Sequence, residues 1–109
     1  MRYIGIILIS ILLFSCGKKL GEKEQDFIGI WKGSKDGMSY TIRIEEDSKA
    51  RFSWVGDGDM RNFEGNARIR GEVLRIAGHR LIIQERPYVE DDFFFMKVND
   101  VVYQRFDFQ

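Results

Sequence analysis

The sequence predicts an all-β fold: one antiparallel, eight-stranded meander closed into a barrel. Three observations predict it. Apolar and polar residues alternate with period two from Phe27 onward. Turn-forming residues recur at short, even intervals. No stretch of that region carries a helical period. Tight hairpins make neighbouring strands antiparallel, and a twisted eight-stranded meander can close on itself and lose its edges.

The elements follow in order. Ile28 to Ser34 forms the first strand. Met38, Tyr40, Ile42 and Ile44 then alternate with Ser39, Thr41, Arg43 and Glu45, giving one buried and one wet face. Ala50, Phe52 and Trp54 repeat the pattern against Arg51 and Ser53. Phe63, Gly65, Ala67 and Ile69 alternate with Glu64, Asn66, Arg68 and Arg70. Leu74 and Ile76 follow, then Leu81 and Ile83. Phe93 to Val98 and Val101 to Phe106 complete the set. Lys35-Asp36-Gly37, Glu46-Asp47-Ser48, Gly56-Asp57-Gly58-Asp59, Gly71, Gly78, Arg86-Pro87 and Asn99-Asp100 are the expected turns. Pro87 is placed at a strand boundary, where its missing N–H does least harm.

A different composition precedes the barrel. Arg2 is followed by an apolar run from Ile4 to Phe14, too short for the roughly 20 residues a bilayer span needs. A charged start, a short apolar core and a small residue before a cut describe a secretory signal peptide. Leu13-Phe14-Ser15-Cys16 resembles a bacterial lipobox. The resemblance implies removal of residues 1–15 and a diacylglycerol on the Cys16 thiol, with membrane anchoring through the acyl chains. Cys16 is the only cysteine, so no internal disulfide can form, and lipidation would mask a thiol otherwise exposed outside the cell. Residues 16–26 are polar and charged and read as a flexible tether; residues 27–109 are the barrel domain. Position 17 is Gly rather than the Asp of an enteric inner-membrane retention signal, which points to the outer membrane of a bacterial envelope.

Composition narrows the function classes. Removing 15 of the 109 residues leaves 94, one domain at most. The chain carries 17 basic and 17 acidic residues, and this balance argues against a nucleic-acid partner, which demands a basic face. A chain this short has a marginal core that must be dense, and its aromatics supply the density.

Gly29-Ile30-Trp31 resembles the G-x-W signature of lipocalin-like, or calycin, barrels. Tyr103-Gln104-Arg105 resembles the Y-x-R close of the last strand in small bacterial lipocalin-like domains. The resemblance implies that the first and last strands pair, with Gly29, Trp31, Tyr103 and Arg105 at the closure. Arg105 would lie on the Trp31 ring as a cation–π contact, with Gly29 allowing close approach. It also implies a ligand site, shallower than in longer family members because the strands are short.

The leading expectation is a small apolar ligand at an open mouth lined by Trp31, Tyr40, Phe52 and Trp54, since such sites use aromatic walls. The alternative is a protein-binding module, an envelope inhibitor or assembly subunit, that uses Phe93-Phe94-Phe95. Three rings in a row put aromatics on both faces of a strand. An enzyme is not expected. His79 is the sole histidine and sits at a turn, and no second histidine or cysteine can join it at a metal. Asp57-Gly58-Asp59 departs from the EF-hand calcium pattern at Arg61 and Asn62 and reads as an acidic hairpin tip. Glu90-Asp91-Asp92 reads as a charged guard beside the phenylalanine run. No cofactor is implied.

Overall fold

Five two-residue turns set the architecture. A computed structural model describes residues 22–106. Asp36-Gly37, Asp57-Gly58, Ala77-Gly78, Asp91-Asp92 and Asn99-Asp100 each hold positive φ at both residues. This is the type I′ geometry, whose twist matches that of the strands it joins. Asp and Asn tolerate the left-handed region, and Gly enters it without cost.

These turns make five of the seven connections between β1 (Gly29–Lys35), β2 (Met38–Ile44), β3 (Lys49–Gly56), β4 (Asp59–Arg70), β5 (Val73–Ile76), β6 (His79–Glu90), β7 (Phe93–Val98) and β8 (Val101–Phe106); residues 45–48 join β2 to β3, and 71–72 join β4 to β5. The strands pair in sequence order, all antiparallel, and form a closed eight-stranded barrel. The fold class expected from the sequence is therefore the one observed. The seam joins β1 to β8 through Ile30↔Phe106, Trp31↔Arg105, Lys32↔Gln104 and Gly33↔Tyr103.

Several boundaries differ from expectation. β4 begins at Asp59 rather than Phe63, because the Asp57-Gly58 turn pairs Trp54 with Arg61 and Val55 with Met60. Arg86-Pro87 is not a turn. It lies within β6, where the register slips between Glu85↔Lys97 and Tyr88↔Phe95. A bulge of this kind takes residues out of the ladder, so the missing proline N–H leaves no bond unmade. The reversal comes instead at Asp91-Asp92.

Residues 22–26, expected as the end of a flexible tether, belong to a 3-10 helix, Glu22–Phe27. The helix ends on Phe27, which is fully buried. The indole Nε1–H of Trp31 donates to the Phe27 carbonyl at 2.8 Å, and the Arg86 guanidinium stands 5.1 Å from the Phe27 ring centroid. The helix thus closes the end of the barrel at which β1 starts. Residues 1–21, including Cys16 and the leader, lie outside the described residues, as do 107–109.

Inward positions of all eight strands meet in one core. Trp31, Ile42, Ile44, Phe52, Leu74, Ile76, Leu81, Ile83, Met96, Val98, Val101 and Tyr103 are buried there with Phe27 and two alanines. At the far corner, Asn99 extends the sheet. Its N–H donates to the Ile82 carbonyl, and its Oδ1 accepts from the Ile82 N–H. Asp100 exchanges hydrogen bonds with Gln84, and this amide holds the Asp100 carboxyl below the usual carboxylate range.

Candidate functional site

The barrel end carrying the Asp36-Gly37, Asp57-Gly58, Ala77-Gly78 and Asn99-Asp100 turns differs from the end closed by Phe27. Here the inward rows of β3, β4 and β6 finish in rings. Phe52 faces Phe63 across β3 and β4, and Tyr40 faces Trp54 across β2 and β3. Phe52 and Trp54 have centroids 5.4 Å apart, and Trp54 and Phe63 lie at 5.3 Å. The His79 imidazole lies 4.0 Å from Phe63, 5.9 Å from Phe52 and 6.3 Å from Trp54. The tilted and edge-to-face angles among these rings are those aromatic quadrupoles favour. Phe52 is buried beneath the group, while Tyr40, Trp54, Phe63 and His79 are half-buried and reach solvent.

Local sequence explains the cluster. A two-residue turn at Asp57-Gly58 places residue 52 opposite 63. The short β5 hairpin then folds Ala77 against β4: a Cβ at Gly65 would stand 3.0 Å from the Ala77 Cα. That close approach brings the start of β6, and His79 with it, over the Phe63 ring. Along β2, the Tyr40 hydroxyl donates to the Met38 sulfur at 3.7 Å.

Three of the four expected ligand residues, Tyr40, Phe52 and Trp54, meet at this mouth. Trp31 does not. It is fully buried toward the opposite end, held by its bond to Phe27, and serves the core. Phe63 and His79 belong to the cluster and were not expected in it. Phe63 was legible by counting outward from the Asp57-Gly58 turn. His79 required the close approach of Ala77 to Gly65, which no local pattern announces.

The closure residues gather at the seam, with one correction. Arg105 faces Trp31 in register but does not stack on it. Its Cγ and Cδ cross directly over Gly29, where a Cβ would meet them at 2.8 and 2.6 Å. Its guanidinium then lies 3.8 Å from the Phe94 ring centroid. Gly29 permits this path twice over, since its φ of +143° also disfavours any side chain. The Trp31 ring is already enclosed, so the cation takes the half-open ring instead.

Phe94 is likewise corrected as a partner-surface residue. It packs inward against the core under Arg105. Phe93 remains exposed, and Phe95 is half-buried beside Tyr88 at 6.0 Å. Phe93 and Val89 give the β6–β7 hairpin tip its exposed apolar surface.

Tyr103, at the seam, is buried, and this burial, together with the nearby Tyr40, pushes its hydroxyl far above the ordinary tyrosine range. The unfolded chain releases this proton near pH 10, whereas the folded barrel keeps it to higher pH. Stability is therefore complete below about pH 10 and falls as pH rises beyond it. Urea unfolding between about pH 9 and 11.5 should show this decline in the parent and a shallower one in Tyr103→Phe. Identical slopes would remove Tyr103 as the cause.

Among the described residues, no group of three or more His, Cys, Asp or Glu could hold a metal ion, and no helix is long and apolar enough to cross a membrane. Compared with protein-family models, curated proteins and solved structures, the chain shows no match.

Proposed function

We propose that the barrel binds a small apolar ligand at its aromatic mouth, and that a lipid on Cys16 holds it at a bacterial envelope membrane. The observation that supports binding is the half-open group of Trp54, Phe63 and His79 over buried Phe52, with centroid separations of 4.0 to 6.3 Å. These rings keep one face toward solvent at the end of a barrel, where apolar sites with a few polar groups form. The interior below the mouth is occupied by buried side chains, so the ligand lies shallow and contacts ring faces rather than a deep pocket. The His79 ring nitrogens and the Tyr40 hydroxyl are the polar groups placed to orient it.

The lipocalin-like reading fits the closed meander and the seam of Gly29, Trp31, Tyr103 and Arg105. The membrane reading rests on the lipobox resemblance and the single cysteine.

A titration with a naphthyl-labelled fatty acid tests the mouth. Indole emission should respond on addition. Trp54→Ala should weaken binding by about tenfold or more, the scale of one lost aromatic contact, while the melting temperature moves little because the ring is half-exposed. Unchanged affinity in Trp54→Ala would defeat the assignment. Mass spectrometry of the native protein extracted from its membranes should show acyl chains on Cys16, and a bare thiol there would defeat the anchor.

A further inference from the structure

The outer wall of β4, β5 and β6 carries a row of arginines. Arg68 faces Arg75 across β4 and β5, and Arg75 faces Arg80 across β5 and β6. Arg70 lies two residues along on the same face of β4. Together with Val73, these four line a surface depression of about 310 Å³. All four side chains are exposed.

Like charges directly opposite each other across strands are destabilising. Elsewhere the barrel relieves such a row: Arg43 faces Arg51, and Arg51 is ion-paired with Glu64 on the next strand. On β4–β6 no carboxylate does so. The ion pairs Lys49–Asp47 and Arg51–Glu64 do not involve the row. The concentration is local, because the whole chain has a formal net charge of zero. The repulsion is therefore not part of a generally basic protein. It is placed on one wall.

We propose that this wall is an anion site for a ligand with two or more phosphate groups. Adjacent strands lie about 4.8 Å apart, so the row of three guanidiniums spans about 10 Å. A single phosphate can bridge two neighbours, and the full row with Arg70 needs at least two phosphates to saturate it. Guanidinium forks suit phosphate oxygens in a bidentate manner that lysine cannot copy. Neighbouring lipid headgroups and a soluble polyphosphate present the same chemistry. The site is independent of the aromatic mouth, which lies at the barrel's end.

Thermal melts of the full chain in dodecyl maltoside micelles at low salt test the site. One arm adds inorganic tripolyphosphate, and the other dopes the micelles with phosphatidic acid. Either ligand should raise the melting temperature, increasingly as its concentration passes the dissociation constant, and salt should abolish the rise. Arg75→Thr should act with opposite signs in the two states. Without ligand it melts higher than the parent, because the central charge of the row is gone. With ligand its rise is lost, with binding weaker by about tenfold or more. Arg75→Lys should keep the repulsion yet bind more weakly than the parent. Arg61→Gln, an exposed arginine outside the row, should behave as the parent. A rise with tripolyphosphate alone assigns a soluble ligand, and one with phosphatidic acid alone assigns a membrane surface. No rise in either arm, or an equal rise in Arg75→Thr, overturns the proposal.

Discussion

Trp31→Ala is expected to unfold the barrel at temperatures where the parent is intact. The ring is fully buried, and its Nε1–H bond ties β1 to the 3-10 helix. Truncating a buried Trp costs about 3–5 kcal/mol through lost transfer energy and the cavity left behind. The lost indole bond deprives a carbonyl of its donor, adding about 1 kcal/mol. A domain of this size holds only about 5–10 kcal/mol in total. The melting temperature should fall by 15 °C or more, at about 4–8 °C per kcal/mol. Trp31→Phe separates the causes. It keeps an aromatic ring but loses the donor and some volume, and should fall less than half as far. Circular dichroism melts check both, and an alanine variant that melts within a few degrees of the parent would mean that Trp31 does not brace the closed end.

Gly33→Ala is the second large effect. A Cβ there would stand 2.5 Å from the Val102 carbonyl oxygen and 2.8 Å from a Val101 methyl. The first obstacle is backbone, so no rotamer change relieves it, and β1 must draw away from β8. Overpacking of this kind costs about 1–3 kcal/mol, and the damage falls on the one seam that closes the cylinder. Opening it exposes two unpaired strand edges, which invite pairing with other chains. The expected result is a lower melting temperature with faster amide exchange confined to β1 and β8, and concentration-dependent association. Gly37→Ala is the comparison. Nothing lies within 4 Å of its Cβ, but its φ is +80°. Its cost should be about 1 kcal/mol, without seam opening. Uniform exchange throughout the sheet in Gly33→Ala would contradict the seam argument.

Where the sequence was legible, local chemistry determined the geometry. Asp36-Gly37 and Asp57-Gly58 declare their turn type, and the alternation from Met38 to Ile44 declares which face is buried. Asp91-Asp92 was harder to read, because a pair of acids also suits a solvated guard beside apolar residues. Arg86-Pro87 misled for the opposite reason: proline marks either a turn or a bulge, and only the pairing of Tyr88 with Phe95 distinguishes them. The parity of Phe93-Phe94-Phe95 was clear, but which parity faced inward depended on register with β8. The candidate mouth was half legible. Tyr40, Phe52 and Trp54 follow from alternation within adjacent strands, whereas His79 arrives through the close approach of Ala77 to Gly65. The arginine row was hidden because its members are far apart along the chain and adjacent only across strands.

The pairing of Ile30 with Phe106 has one more consequence. It fixes a polarity on the molecule. The start of β1 and the end of β8 share one pole, the one sealed by Phe27. The ring cluster occupies the other. Under the proposed Cys16 anchor, the rings lie at the pole remote from the attached end of the barrel, and under the proposed anion site the arginine wall would face its ligand from the side. In neither posture would the mouth be pressed shut, so the proposed ligand would reach it from the aqueous side.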